Sequence, residues 1–329
     1  EVNGFNRIEI TGHDRHAFLD RMICGRVAKR DGRVGLGYLL NAHGCIKGEA
    51  TIANLPASER GPARVWYGSA AASEYHDMDW LQEHLRPTED VQLRSLTNDH
   101  TILLLAGPKA RAVLSECARG DWSSDAFPWL SVRECCIGFV PAVVMAVSFS
   151  GELAYEIHVP NASLYAAYLA LRAAGDAHGL KLFGARAVES MRMEKGFLHW
   201  KADLITEFDP FETGLSRFVT LDKDDFIGKA ALLKRQATGP RSTLVTLRIE
   251  TSRAPAHPGA SLMHGHTVVG TITSGDYGHR VGMNLAYAFV KPDFSAVGST
   301  LQLDLCGDLI DAHVIPPSPY DPNFDRMRS

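Results

Sequence analysis

Two carboxylates four residues apart, Glu152 and Glu156, interrupt the otherwise apolar stretch 148–159, SFSGELAYEIHV. A Ser-Gly turn comes first. Residues 154–159 then alternate as a strand does, with Tyr155, Ile157 and Val159 on one face and Glu156 and His158 on the other. A strand leaving a glycine turn gives such a carboxylate little freedom, and its two oxygens suit two parallel hydrogen bonds from an amidine- or guanidine-like edge. The competing reading is a solvated glutamate on the outer face of an edge strand. A third acid, Glu49, lies with Lys47 and Thr51 on the polar face of a strand over 45–55. That strand pairs as a hairpin with the glycine-interrupted 32–40 through the turn 41–44.

The elements that must position these acids follow from periodicity. Residues 7–10 alternate and lead through Thr11-Gly12 into a helix carrying Ala17, Phe18, Arg21 and Met22. A short amphipathic helix is expected over 76–85, and strands over 91–96, 101–106, 132–139 and 142–149. Pro108 opens a helix through Leu114 and Cys117. Leu164, Tyr168 and Leu171 mark another at i, i+4 and i+7, and a further helix from about Gly184 carries Val188, Met191, Arg192 and Lys195. Strand 218–221, a loop and a short helix at 228–235 precede the linker Thr238-Gly239-Pro240. Beyond it five or six short strands separated by Gly, Pro and Asn turns read as a small barrel. The expected division is 1–237, 238–318 and a surface tail at 319–329.

With 329 residues the chain can bury a large core or build two to three packed units, and 45% hydrophobic with 22% charged residues is ordinary globular composition. A net charge of -4 argues against a nucleic-acid groove or an anionic membrane as main partner. Six cysteines with no CxxC pair suggest a reducing compartment, and adjacent Cys135 and Cys136 point to opposite faces of a strand. No apolar run reaches the ~18 residues of a membrane span. The start on a strand, without a signal peptide, leads us to expect segments upstream of it.

Several chemistries lack their residues. His264 and His266, and His13 and His16, have no third ligand at zinc spacing, so no metal site is expected. There is no GxSxG elbow, and Gly107-Pro108 lacks the second glycine and Lys-Ser/Thr of a phosphate loop. Gly35 and Gly37 lack the third glycine of a dinucleotide fingerprint, so no FAD or NAD site is expected in this chain.

Taken in order, GELAYEI, ARAVESMRMEKGFLHWKADL, DPFETGL, LDKDDFIGKAAL, GTITSGDYG and the closing PYDP resemble the aminomethyltransferase family, which includes the T-protein of the glycine cleavage system. The likeness runs along essentially the whole chain. It is closest to the tetrahydrofolate-binding C-terminal half of dimethylglycine and sarcosine dehydrogenases. It implies an α+β, three-lobed cloverleaf with tetrahydrofolate in a central channel and a C-terminal β-barrel. It also implies one-carbon transfer from an N-methylated amine to folate, working with a flavin dehydrogenase domain or subunit. The location implied is cytoplasmic, or the mitochondrial matrix in a eukaryote.

By the same resemblance Glu156 anchors the pterin, and Glu49 takes the position of a catalytic aspartate beside folate N5, one methylene longer. Arg192 lies near the folate, or else pairs with Glu189 or with the acidic 203–212 loop. Trp200 stacks on the folate rings or is ordinary core, and Tyr155 belongs to the same binding segment. Phe149 and Leu36 stand where tyrosines are usual, which keeps apolar walls and removes hydroxyl contacts. A stand-alone aminomethyltransferase or demethylase, with a lipoyl-aminomethyl, sulfonium or aryl ether donor, is the second reading. A folate-binding module without catalysis is the third.

Overall fold

A computed structural model describes residues 4–251 and 254–329. The first lobe is a five-stranded sheet of order β2-β3-β4-β1-β5. Its strands are β1 (Ile8–Thr11), β2 (Val34–Leu40), β3 (Ile46–Leu55), β4 (Arg64–Gly68) and β5 (Gln92–Ser95), with helices α1 (Arg15–Met22) and α2 (Glu74–Glu83). Alternation drives it. In β3 the side chains of Ile46, Gly48, Ala50 and Ile52 are buried while Lys47, Glu49 and Thr51 stay partly accessible, so one face builds a core and the other is free for a site. The first core joins Ile8, Ile10, Phe18, Leu19, Ile52 and Leu81.

The second lobe is a four-stranded antiparallel sheet, β6-β9-β8-β7, from β6 (His100–Ala106), β7 (Val132–Ile137), β8 (Val140–Met145) and β9 (Ala154–Pro160). Helices α3 (Ala110–Cys117) and α4 (Leu164–Asp176) cover its outer face. Its inner face meets the first lobe through Val34, Ala53, Leu55 and Trp66 against Val132, Val143 and Met145. From α5 (Ala185–Lys195) the chain returns to the first lobe. Leu204, Leu215 and Phe226 pack there on Tyr38, Leu40 and Ile46 before α6 (Lys229–Thr238).

The third lobe is a closed barrel, β10-β13-β12-β11-β14-β15. It comprises β10 (Thr243–Ile249), β11 (Ser261–His264), β12 (Thr267–Gly278), β13 (Met283–Val290), β14 (Thr300–Leu305) and β15 (Asp308–Ile315). The four-residue β11, like β4 in the first lobe, is a strand that the periodicity reading does not include. The cloverleaf α+β class expected from the sequence is the one observed.

One expectation fails. The strand expected over 218–221 is a short 3-10 turn, Ser216–Phe218, followed by irregular chain. This segment lies against the end of α1: Thr220 N donates to Cys24 O, and a Cβ on Gly25 would come within 2.3 Å of Phe218 O, so no ladder partner is available. The tail at 319–329 keeps most of its residues exposed and is docked onto the lobes. It ends in α7 (Asp325–Arg328), with Met327 buried, Lys195 Nζ bonded to Asp321 Oδ2 at 3.0 Å, and Tyr320 donating to Glu152 at 2.7 Å. Gly196, which ends α5 at φ 77°, lets the tail approach. A Cβ there would lie 2.4 Å from Pro317 O. No helix among the described residues is long and apolar enough to cross a membrane.

Candidate functional site

The three lobes and the tail enclose one central cavity of about 1280 Å³. That exceeds the roughly 300–1,000 Å³ of an ordinary small-molecule site, so a long ligand or two ligands fit. The β2–β3 ladder supplies one wall by register, with Leu36 opposite Thr51 and Tyr38 opposite Glu49, all four lining the cavity. Burial pushes Glu49 up from an ordinary 4.5 to about 7, while the Tyr38 hydroxyl pulls it the other way. Tyr38 itself is buried and edge-on to Phe218, with ring centroids 5.2 Å apart. Such a carboxyl holds a proton about half the time at neutral pH, which suits it to general acid–base work.

The opposite wall comes from β9. Its pleat turns Glu156 inward between Leu104 and Met145, and His158 inward between Ile102 and Val143. Glu156 lines the cavity with its side chain 21% exposed. Behind it lies a buried polar group: His158 Nε2 is 3.3 Å from Glu156 Oε2, the Arg7 guanidinium lies 5.5 Å from the Trp66 ring, and His158 and His100 flank that same ring. Beyond this 3.3 Å contact with His158, no donor among the described residues meets Glu156, which leaves acceptor capacity free on the cavity side.

The remaining wall is aromatic. Phe149 and Phe197 are nearly parallel with centroids 6.3 Å apart, and Phe324 of the tail follows at 6.3 Å from Phe197. Trp200 faces the cavity and is pinned by its indole N–H to Ser73 Oγ at 2.8 Å. Leu36 presents its side chain to the same space.

Two residues expected in the binding set lie elsewhere. Tyr155 points out of the other face of β9 into the α3–α4 core, fully buried and stacked on Phe127 at 6.1 Å, because the pleat that turns Glu156 inward turns its neighbour outward. Arg192 is buried and bonded throughout: Nε to Glu189 at 2.8 Å, Nη1 to Asp203 at 2.8 Å and to Phe197 O at 3.0 Å, and Nη2 to Ser274 at 3.0 Å. It joins α5, the following loop and β12, and it does not line the cavity. The pairings weighed against folate contact, Glu189 and the acidic loop, are the ones it makes. Glu152, the other acid of the central stretch, is held by Arg280 at 2.6 Å and by Tyr320.

Cavity residues that the sequence reading missed include Tyr38, Glu189, Phe197 and Phe324. Tyr38 was available from the hairpin register, since it stands across from Glu49. Nothing local marks Phe324, which reaches the cavity only because the tail docks.

The family model of the GCVT N-terminal domain matches residues 1–223, and that of the glycine cleavage T-protein C-terminal barrel domain matches 243–321. The chain is 30% identical over 317 residues to the mitochondrial dimethylglycine dehydrogenase of Rattus norvegicus, covering 96% of this chain and 36% of that protein. It is 26% identical over 317 residues to the aminomethyltransferase of Bacillus subtilis (strain 168), covering 96% and 85%. The chain thus spans about a third of the length of the dehydrogenases it matches. Among solved structures, the glycine cleavage system aminomethyltransferase T from Bartonella henselae superposes with a TM-score of 0.85 at 24% identity, over 98% of this chain and 85% of that one. That likeness speaks for the fold.

Proposed function

The chain belongs to the glycine cleavage T-protein family of aminomethyltransferase-type proteins, and from that premise we propose that its cavity binds tetrahydrofolate and serves one-carbon transfer to it. The observation that carries this reading is a pair of carboxylates on two different lobes facing one cavity, Glu156 with free acceptor capacity and Glu49 near neutrality. The folate supplies the nucleophilic nitrogen. Glu156 accepts the paired N–H donors of the pterin's guanidine-like edge, a charge-assisted bidentate grip that also sets ring orientation. Glu49, one lobe away, holds or releases a proton near the reacting nitrogen and steadies positive charge there. Phe149, Phe197, Trp200 and Leu36 exclude water and confine flat rings.

The donor in this proposal is an N-methylated amine of the dimethylglycine or sarcosine type, oxidised by a flavin dehydrogenase domain or subunit. The similarity to dimethylglycine dehydrogenase along 96% of the chain supports it. A stand-alone aminomethyltransferase is the second reading, favoured by the match to 85% of the Bacillus subtilis aminomethyltransferase.

Calorimetric titration with 5-formyltetrahydrofolate tests the anchor. Glu156→Ala is expected to lose affinity by at least about 10-fold, the loss of a hydrogen-bonded charge being about 1.5–3 kcal/mol. Equal affinity in the variant removes Glu156 from the reading. Protein-dependent transfer to tetrahydrofolate is then compared between formaldehyde and a lipoyl-bound aminomethyl donor, which separates the two enzyme readings. Folate binding with no transfer from either leaves a binding module.

A further inference from the structure

The buried polar group behind Glu156 has no part in the chemistry above, yet it is costly to keep. Arg7 is 2% exposed with its Nη1 unpartnered, Nδ1 of the buried His158 and Nδ1 of His100 meet no hydrogen-bond partner, and His158 Nε2 has the 3.3 Å contact with Glu156. Unpaired buried polar groups cost free energy, so a fold retains them only where something offsets that cost.

We infer that Arg7 is a positioning residue for Glu156, a buried counter-charge that, with His158, aims the carboxylate at the cavity. The inference rests on the folate reading for its ligand but not for its geometry. Arg7 is fixed at its backbone, its N–H donating to Thr97 Oγ1 at 2.9 Å and its carbonyl accepting from Leu96 N at 2.8 Å. From there the guanidinium lies against Trp66 of β4, and His158 of β9 packs against the same indole at 5.7 Å. His158 is in turn 3.3 Å from Glu156.

The groups facing His158 are therefore Glu156 on its own strand, Arg7 before β1, His100 on β6 and the Trp66 ring on β4, with apolar Val143 opposite on β8. Electrostatics run the same way. Burial lowers His158 below the ordinary histidine range, Glu156 opposes that, and Arg7 adds to it. Arg7 itself is pulled down to about 10 by burial, with Glu156 supporting its charge. The anion that supports this buried cation faces the cavity.

The test has a ligand-free arm and a folate arm. In ligand-free protein, NMR of labelled histidine rings follows the titration of His158. Arg7→Met is expected to raise its midpoint and Glu156→Gln to lower it. Arg7→Gln serves where Arg7→Met does not fold. In the folate arm, Arg7→Met is expected to weaken 5-formyltetrahydrofolate binding about 10- to 100-fold. Arg7→Lys, which keeps the charge, should recover most of that loss. A His158 midpoint that ignores both substitutions overturns the inference, as does an Arg7→Met protein that binds folate like wild type or a loss that Arg7→Lys leaves unrecovered. Wild-type protein that binds no reduced folate sinks the proposed function instead, and the ligand-free titration still decides this inference.

Discussion

Replacing Glu49 by glutamine should make the protein more stable at alkaline pH and less active. The carboxyl titrates at about 7 in the folded chain against an ordinary 4.5, with burial as the main cause. Each unit is worth about 1.4 kcal/mol, so full ionisation in place costs the folded state about 3 kcal/mol, less whatever solvent screens at its partly open side. The sign follows from proton counts. Between pH 4.5 and 7 the folded chain keeps a proton that the unfolded chain has lost, so this group's contribution declines as pH rises and is fully unfavourable above about 7. Glutamine never ionises. Melting temperatures of the two proteins should therefore agree near pH 4 and diverge above it, with Glu49→Gln the higher at pH 8, by several degrees at most in a chain this long. On the same proteins, wild-type transfer to tetrahydrofolate should fall as pH drops through about 7, while the variant is slow and flat, with folate affinity kept. Melting curves that stay parallel from pH 4 to 8 would refute the burial argument. A variant with the wild-type pH–rate profile would remove Glu49 from the proton transfer.

Arg192→Leu should destabilise by about 3–5 kcal/mol, because it removes the counter-charge of buried Asp203, which keeps the donors His199 N, Thr273 and Ser274, and leaves Ser274 Oγ and the Phe197 carbonyl without the guanidinium donor. Chemical denaturation measures it, and a loss below about 1 kcal/mol would contradict the structural role. Tyr155→Phe should leave folate affinity unchanged and stability level or slightly raised, since the hydroxyl it removes is buried without a partner. A weaker calorimetric titration in that variant would return Tyr155 to the binding set.

What local pattern governs, the sequence revealed. Alternation in 45–55 and 154–159 gives the faces that carry Glu49 and Glu156, and the Ser-Gly turn is held as expected, Gly151 N donating to Ser148 Oγ at 3.1 Å. Tyr155 was legible too. The period of two that puts Glu156 in the cavity excludes its neighbour, so grouping them set the family segment above the pleat. Arg192 was not legible in the same way. Helical spacing places it near Glu189, but whether its other edge meets a ligand or Asp203 and Ser274 depends on chain 11 and 82 residues away. The docking of the tail and the 218–221 segment escaped the sequence for a related reason: their short runs take whatever partner the lobes present.

That dependence bears on the site itself. Glu49 and Glu156 belong to different sheets, which meet in a backbone bridge between Arg33 and Ser131, Val34 N donating to Leu130 O at 2.8 Å and Val132 N to Gly32 O at 2.9 Å. Side chains complete the seam. Its centre is apolar, Ala53, Leu55 and Trp66 against Val143 and Met145, and close packing there resists sliding. Its edge is polar, with Arg64 ion-paired to Glu9 at 3.3 Å and bonded to Glu134 of β7, and Arg60 donating to Ala142 O at 3.1 Å and Cys135 O at 2.8 Å. Directional bonds at the rim fix the rotation that apolar contact at the centre leaves free. Two acids on rigid, separately folded walls can thus hold opposite ends of one flat ligand at a set spacing, which a pair on a single strand, limited to that strand's pleat, could not do.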